Sequence, residues 1–179
     1  MNFEKASVVS HPASVVLETM IERMHEIVPF LPSVNGIELI SREEIPDGKL
    51  RIVRRWHGSM DNAPGALKPF LNEEIMAWTD TAVWTPADYR VDWTLSTSMG
   101  GLYDCSGTNF FEPDPQAPEG STRMRVTGTL QVYPERLPGL PKFLGKRLAP
   151  QVEKFIVGLI TPNLMDVAVG LQGYLDAAD

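Results

Sequence analysis

FEKASVVSHPASVVLETMIERMHEIVPFLPSVNGIELISREEIPDGKLRIVRRW occupies residues 3–56, and its reading decides the fold. Phe3 to Val9 reads as a strand. Ser10 is placed to cap a helix, with Pro12 in the first turn, where a missing N–H costs nothing. Val15, Val16, Thr19, Met20, Arg23, Met24 and Ile27 follow at helical spacing, and Pro29 and Pro32 stop the helix. Ile37 to Ile45 and Leu50 to Trp56 then alternate as two strands around Asp47-Gly48, a hairpin signal.

The bulk numbers bound what such a chain does. At 179 residues it is read as one domain, 1–179, long enough for a sizeable core. The formal net charge of −7 argues against a nucleic-acid partner, since phosphate binding needs a basic face. Cys105 is the only cysteine, which excludes an intrachain disulfide and suits a reducing compartment. The N-terminus shows no basic segment followed by an apolar run. No uninterrupted apolar run approaches the roughly 18 residues of a spanning helix. A cytoplasmic protein is the expectation.

Beyond Trp56, residues 58–74 mix breakers (Asn62, Pro64, Gly65, Pro69) with Leu67, Phe70 and Leu71, and read as a loop with a short helix. Ile75 to Thr85 and Tyr89 to Thr97 are strands joined at Pro86-Ala87. A strand from Leu102 to Phe111 follows Gly100-Gly101. Residues 112–121 form a polar, Pro-rich loop, and Arg123 to Tyr133 is the last strand. The remainder is helical after an irregular 134–145 connection. The order, β-α-α-β-β-β-β-β-β-α, resembles the START-like (SRPBCC) superfamily, the helix-grip fold of lipid-transfer domains, plant hydrophobic-ligand carriers and polyketide cyclases. The resemblance implies an α+β fold. In it a curved antiparallel sheet wraps around a long C-terminal helix and leaves an internal cavity.

Hairpin register assigns faces, because cross-strand partners share one. A turn at Pro86-Ala87 pairs Trp84 with Tyr89, Ala82 with Val91, Asp80 with Trp93 and Trp78 with Leu95. All of these then face inward, with Thr79, Thr81, Arg90 and Asp92 outward. The Asp47-Gly48 hairpin pairs Ile45 with Leu50, Ser41 with Arg54 and Leu39 with Trp56. Its apolar face holds Ile37, Leu39, Ile45, Leu50, Ile52 and Trp56, together with Arg54. The facing of strand 102–111 stays open. Arg54 and Asp80 therefore stand as charges on apolar inner faces, where an unpaired charge is costly. They form a structural pair across neighbouring strands, contact a ligand, or do both.

On the C-terminal helix, Val152, Phe155, Ile156, Leu159 and Ile160 recur at helical spacing. Pro162 is expected to kink or split the helix, with Thr161 capping a restarted one. Asn163 lies seven residues past Ile156, near the same face. His11, His25 and His57 lack zinc-ligand spacing, Cys105 has no partner motif, and no phosphate loop or nucleophile elbow is present. Neither a metal nor any other cofactor is expected.

The resemblance and the Trp-rich inner face imply a carrier or sensor of a small hydrophobic ligand, lipid or polyketide-like. The contacts expected are Arg54, Trp56, Trp78, Asp80, Trp84, Tyr89, Trp93, Leu95, Ile156, Leu159 and Asn163. Two alternatives stand beside it. One is a polyketide aromatase/cyclase or dehydratase-type enzyme using Asp80, Arg54 and Tyr89. The other is a protein-interaction module. The 60–72 and 134–145 segments are the expected entrance. Phe143 and Leu144 with Lys142, Lys146 and Arg147 give a carrier a means of transient membrane contact.

Overall fold

The structure, a computed structural model, describes residues 1–61, 63–97, 101–117, 119–165 and 167–178 and, at Asn163 and Met165, the backbone alone. Its strands are β1 (Asn2–Val9), β2 (Val34–Ile45), β3 (Lys49–Gly58), β4 (Ala77–Thr85), β5 (Arg90–Thr97), β6 (Tyr103–Pro113) and β7 (Thr122–Val132). They form one antiparallel sheet in the order β1-β7-β6-β5-β4-β3-β2. Consecutive strands from β2 to β7 are neighbours, as short connections dictate, and β1 closes onto β7. The helices are α1 (Ala13–Glu22), α2 (Lys142–Met165) and α3 (Val167–Ala178). The sheet curves around the C-terminal helices in the helix-grip arrangement, with Val152, Ile156, Ile160 and Leu171 buried.

The first helix is shorter than its periodicity predicts. α1 ends at Glu22, where Arg23 leaves helical geometry (φ −126°), and Met24–Phe30 continues as a 3-10 segment. Ser10 does not cap α1: no side-chain cap is made there, and the Ser10 N–H donates instead to Gln172 Oε1 of α3 at 2.7 Å. α3 also seats Gly170 and Gly173 against Leu31 and Phe30, where a Cβ would come within 2.7 and 2.9 Å of those side chains.

α2 runs unbroken through Pro150 and Pro162 to Met165, so the helix is not restarted at Thr161. Within Lys142–Ala178 an 18-residue window reaches a mean hydropathy of 1.4, long and apolar enough to cross a membrane by length and composition. No uninterrupted apolar run of that length is present, since Pro162, Asn163 and Gln172 interrupt it, and only the average over the stretch passes. Here the stretch packs against the sheet, as the core helix of a globular protein does.

Two register differences are informative. The β4–β5 turn spans residues 86–89, so Trp84 pairs with Val91, Ala82 with Trp93, Asp80 with Leu95 and Trp78 with Thr97. The shift is two residues. Side chains repeat every two residues, so every face survives it. Only Tyr89 is displaced: it sits in the turn with left-handed backbone (φ +48°) and an exposed ring. The β2–β3 hairpin differs by one residue, because Ile45 pairs with Lys49 across a turn in which Asp47 and Gly48 are both left-handed. A bulge at Ile40 restores the parity beyond it, so that Leu39 faces Arg54 and Ile37 faces Trp56, while Ile45, expected inward, shares the outer face of Lys49. β2 is an edge strand of the sheet, and Leu39 is 61% exposed.

β6 turns its odd-numbered residues inward, with Tyr103, Cys105 and Phe111 buried. Phe110 points out between the Arg90 and Arg125 guanidiniums. Gly107 stands between Trp93 on β5 and Gly128 on β7, and Gly128 in turn faces Phe3 on β1. The two aromatic rings lie over the two glycines and stack on each other (6.4 Å between centroids, 16° between planes). A Cβ at Gly107 would sit 2.2 Å from the Thr127 carbonyl oxygen and 2.5 Å from the Trp93 ring. Gly107→Ala is therefore expected to destabilise the fold by about 1–3 kcal/mol through overpacking. Gly145→Ala on α2, where a Cβ meets nothing within 4 Å, is expected to stabilise it by about 0.4–1 kcal/mol. Urea melts of the two variants check both signs.

Candidate functional site

Between the inner face of the sheet and the helices lies a cavity of about 50 Å³, room for about four water molecules. β3 contributes Arg54 and Trp56 to its wall, and β4 contributes Trp78, Asp80, Ala82 and Trp84. Val91, Trp93 and Leu95 come from β5 and Asn109 from β6. Strand alternation places all of these on one face. The helical side is made by Met20 of α1, Met24 just beyond it, Ile160 and Leu164 of α2, and Val167 of α3.

Arg54 and Asp80 stand directly opposite each other on β3 and β4, as neighbouring inward charges should. They do not form an ion pair: none joins them within 4 Å among the described residues. The buried Arg54 side chain (5% exposed) instead donates from Nη2 to the carbonyl oxygens of Met20 at 2.9 Å and Ile21 at 2.6 Å. These are carbonyls of the last turn of α1, which lack a partner inside the helix and carry the negative end of its dipole. The sequence reading missed this partner because backbone carbonyls carry no residue signature. Burial lowers the Arg54 pKa, against the pull of Asp80 and Glu22.

Asp80 is left without a counter-ion in contact. Its Oδ1 is buried and accepts no hydrogen bond. Burial pushes the carboxyl up to about 7 from 3.8; the Arg54 charge and the nearby Trp56 N–H pull the other way and lose. The Nε1–H groups of Trp56 and Trp84 are likewise buried without an acceptor, as is Thr161 Oγ1 on α2. Trp93 differs: its Nε1–H donates to Asn109 Oδ1 at 2.9 Å. Buried polar groups in folded proteins are almost always partnered. The Trp56 N–H is near enough to the Asp80 carboxyl to lower its pKa without completing a hydrogen bond, so this loose pair and the Trp84 N–H mark a place on the wall of one apolar cavity where polar atoms of something else fit.

Of the residues expected to touch a ligand, Arg54, Trp56, Trp78, Asp80, Trp84, Trp93 and Leu95 line this cavity. Tyr89 does not, since the longer turn carries it to the surface. Ile156 is buried in the core beside it, and Leu159 lines a separate surface pocket with Ser33, Ser59 and Phe155. The side chain of Asn163 lies outside the described residues. The sequence reading missed Met20, Met24, Asn109, Ile160, Leu164 and Val167. Asn109 shares the parity of Tyr103, Cys105 and Phe111, so fixing the facing of β6 would have found it. At the expected entrance, Leu67 and Leu137 are buried as core, while Met60 and Phe143 are exposed.

Asp80 holds a proton in the folded state at pH values where the unfolded chain has released it. Stability is therefore expected to fall by about 1.4 kcal/mol per unit as pH rises from near 4 towards 7, and to level off above. Asp80→Asn removes that loss, so the variant should match the wild type in thermal melts near pH 4 and exceed it at pH 8. Asp92 faces outward, accepts from Arg90 and Thr108 at 2.6 Å each, and has a lowered pKa. Asp92→Asn should destabilise at pH 8 instead. Arg54→Met should cost on the order of 3 kcal/mol by stranding two helix carbonyls, with hydrogen exchange at the end of α1 accelerating first.

No family model and no curated protein matches the sequence. Solved structures do match along the whole chain. TTHA0849 from Thermus thermophilus superposes with a TM-score of 0.66 at 17% identity, covering 100% of this chain and 99% of that one. The Zhui aromatase/cyclase from Streptomyces sp. R1128 gives 0.66 at 17% identity, covering 97% and 92%. Ara h 8.0201 gives 0.55 at 17% identity, covering 99% and 98%. At such identities the likeness concerns architecture. The chain has the START-like (SRPBCC) helix-grip fold.

Proposed function

We propose that this chain, acting as a single unit over residues 1–179, binds a small, mostly apolar ligand in the cavity between its sheet and α2. One observation carries the reading: Trp56 Nε1, Asp80 Oδ1 and Trp84 Nε1 are buried without partners on the wall of one apolar cavity. A ligand that brings two or three oxygen atoms relieves each of them, while its apolar body replaces water against indole and methionine surfaces. The net charge of −7 supports a partner that is not nucleic acid. A free, buried Cys105 fits a cytoplasmic setting. Phe143, 81% exposed in the first turn of α2 next to Lys142 and close to Lys146 and Arg147, supports brief contact with an anionic membrane during loading or release.

A second reading, an aromatase/cyclase or dehydratase-type enzyme, is favoured by Asp80 itself. A carboxyl held near 7 inside a cavity beside indole donors is suited to exchange protons with a bound carbonyl compound. Tyr89 takes no part in either reading. The two share the site and differ in whether the ligand leaves unchanged.

Extraction of the purified protein into organic solvent, followed by mass spectrometry, is expected to release a compound of a few hundred daltons in near-stoichiometric amount. The recovered compound should quench tryptophan fluorescence when returned to the stripped protein. Trp84→Phe, which keeps an aromatic ring and removes the N–H, should weaken that binding by about tenfold. Recovery of the compound chemically altered after incubation selects the enzyme. If nothing is extracted and hydrophobic probes leave the fluorescence unchanged, the ligand reading is wrong.

A further inference from the structure

The ligand-binding reading fixes a place; the polar atoms in that place also select a head group. Among the described residues, Arg54 and Asp80 are the only charged side chains on the cavity wall. Arg54 uses Nη2 for the α1 carbonyls, makes no ion pair among the described residues, and also reaches a surface pocket beside Glu22 and Arg42. Trp56 Nε1–H, on the same strand two residues on, lies beside the Asp80 carboxyl and acts on its pKa without completing a hydrogen bond. The Asp80 carboxyl thus stands between a guanidinium that bonds elsewhere and an indole N–H that does not complete a bond to it. A buried guanidinium without a contacting anion is also the feature that a bound anion corrects best. An ammonium ligand would face Arg54 as a like charge. A neutral alcohol would leave the guanidinium as it is.

We propose that the cavity takes an apolar molecule ending in one carboxylate, seated between the Arg54 guanidinium and the Trp56 indole N–H, with Asp80 taking up one proton as the ligand binds. The proton follows from charge balance. Two carboxylates cannot both stay ionised beside one guanidinium in an apolar cavity, so Asp80 becomes a neutral donor to the ligand. No other titratable group on the described cavity wall interferes. β5 places Leu95 opposite Asp80, and the helical elements bring Met20, Met24, Ile160, Leu164 and Val167 to the cavity. Glu22 of α1 and Arg42 of β2 act on Arg54 with opposite signs and bond to each other at 2.6 and 3.1 Å. The raised pKa of Asp80 makes the uptake visible in an ordinary pH range.

The proposal rests on the cavity reading, and matched probes separate the two. Octanoate, 1-octanol and octylamine share a tail and differ only in head group. Calorimetry on the unaltered protein, in buffers of different ionisation enthalpy, reads affinity and proton count together. Octanoate is expected to bind at least tenfold more tightly than the other two at pH 6. It should take up close to one proton at pH 8 and almost none at pH 5.5. Its affinity should fall by about tenfold per pH unit above 7. Asp80→Asn should keep binding octanoate and lose that slope. If Asp80→Asn does not fold, the proton count on the unaltered protein decides alone. Equal or tighter binding of octanol or octylamine, or octanoate binding at pH 8 without proton uptake, overturns the carboxylate inference and leaves the cavity reading standing. Failure of all three probes to bind overturns both.

Discussion

The hydrogen bonds from Arg54 Nη2 to the Met20 and Ile21 carbonyls are the contact from which the rest of the site follows. A guanidinium on the inner face of a sheet needs acceptors, and two kinds lie within its neighbourhood. One is the carboxylate directly across the strand pair. The other is the end of α1, whose last carbonyls have no partner in the helix and whose dipole presents negative charge. The structure gives Arg54 to the helix. That choice ties α1 to β3 and so holds one wall of the cavity in place. It also leaves Asp80 opposite a cation that does not bond to it, which is why burial outweighs attraction in setting its pKa.

The remaining walls divide by stiffness. On the sheet side the large rings are locked in pairs: Trp56 on Trp78, Trp84 on Phe111, and Trp93 on Phe3, at 5.8 to 6.4 Å between centroids. The last pair lies over Gly107 and Gly128, which admit no Cβ. These stacks fix the indole donors in direction as well as place. A donor that cannot turn away and has no acceptor is a stronger sign of a missing partner than one on a free rotor.

How much of this was legible in the sequence follows from periodicity. A strand repeats every two residues. The two-residue error in the β4–β5 turn therefore left Trp78, Asp80, Trp84 and Trp93 on the correct face and misplaced Tyr89 alone. The one-residue error in the β2–β3 hairpin had to be repaired by a bulge at Ile40, and a bulge leaves no reliable trace in composition. Helical spacing is legible as a stripe, and it brought out Ile156, Leu159 and Ile160 together. It does not say where along the stripe the cavity falls, because that depends on how the helix crosses the sheet. The site moved up the same stripe to Ile160 and Leu164. The inward charges Arg54 and Asp80 were found by register. Their failure to bond was not, since the competing acceptors are main-chain atoms.

A cavity of about 50 Å³ holds a few waters and no eight-carbon chain, so binding requires one wall to yield. The sheet wall is the wrong candidate, for the stacked rings and the glycine contacts oppose any opening. α2 is the better one. Pro162 removes the hydrogen bond that the Gly158 carbonyl would accept, and Pro150 does the same one segment earlier at Lys146. Thr161 Oγ1 beside that gap is buried and unpartnered. The helix is therefore weakest in its own hydrogen bonding where Ile160 and Leu164 cover the cavity. An apolar ligand that displaces those two side chains gives up fewer main-chain bonds than one that enters anywhere along the sheet. Its own buried surface then offsets the packing that Ile160 and Leu164 give up. The rigid face thus sets which polar atoms the ligand must carry, and the proline-weakened helix sets how large its apolar body is allowed to be.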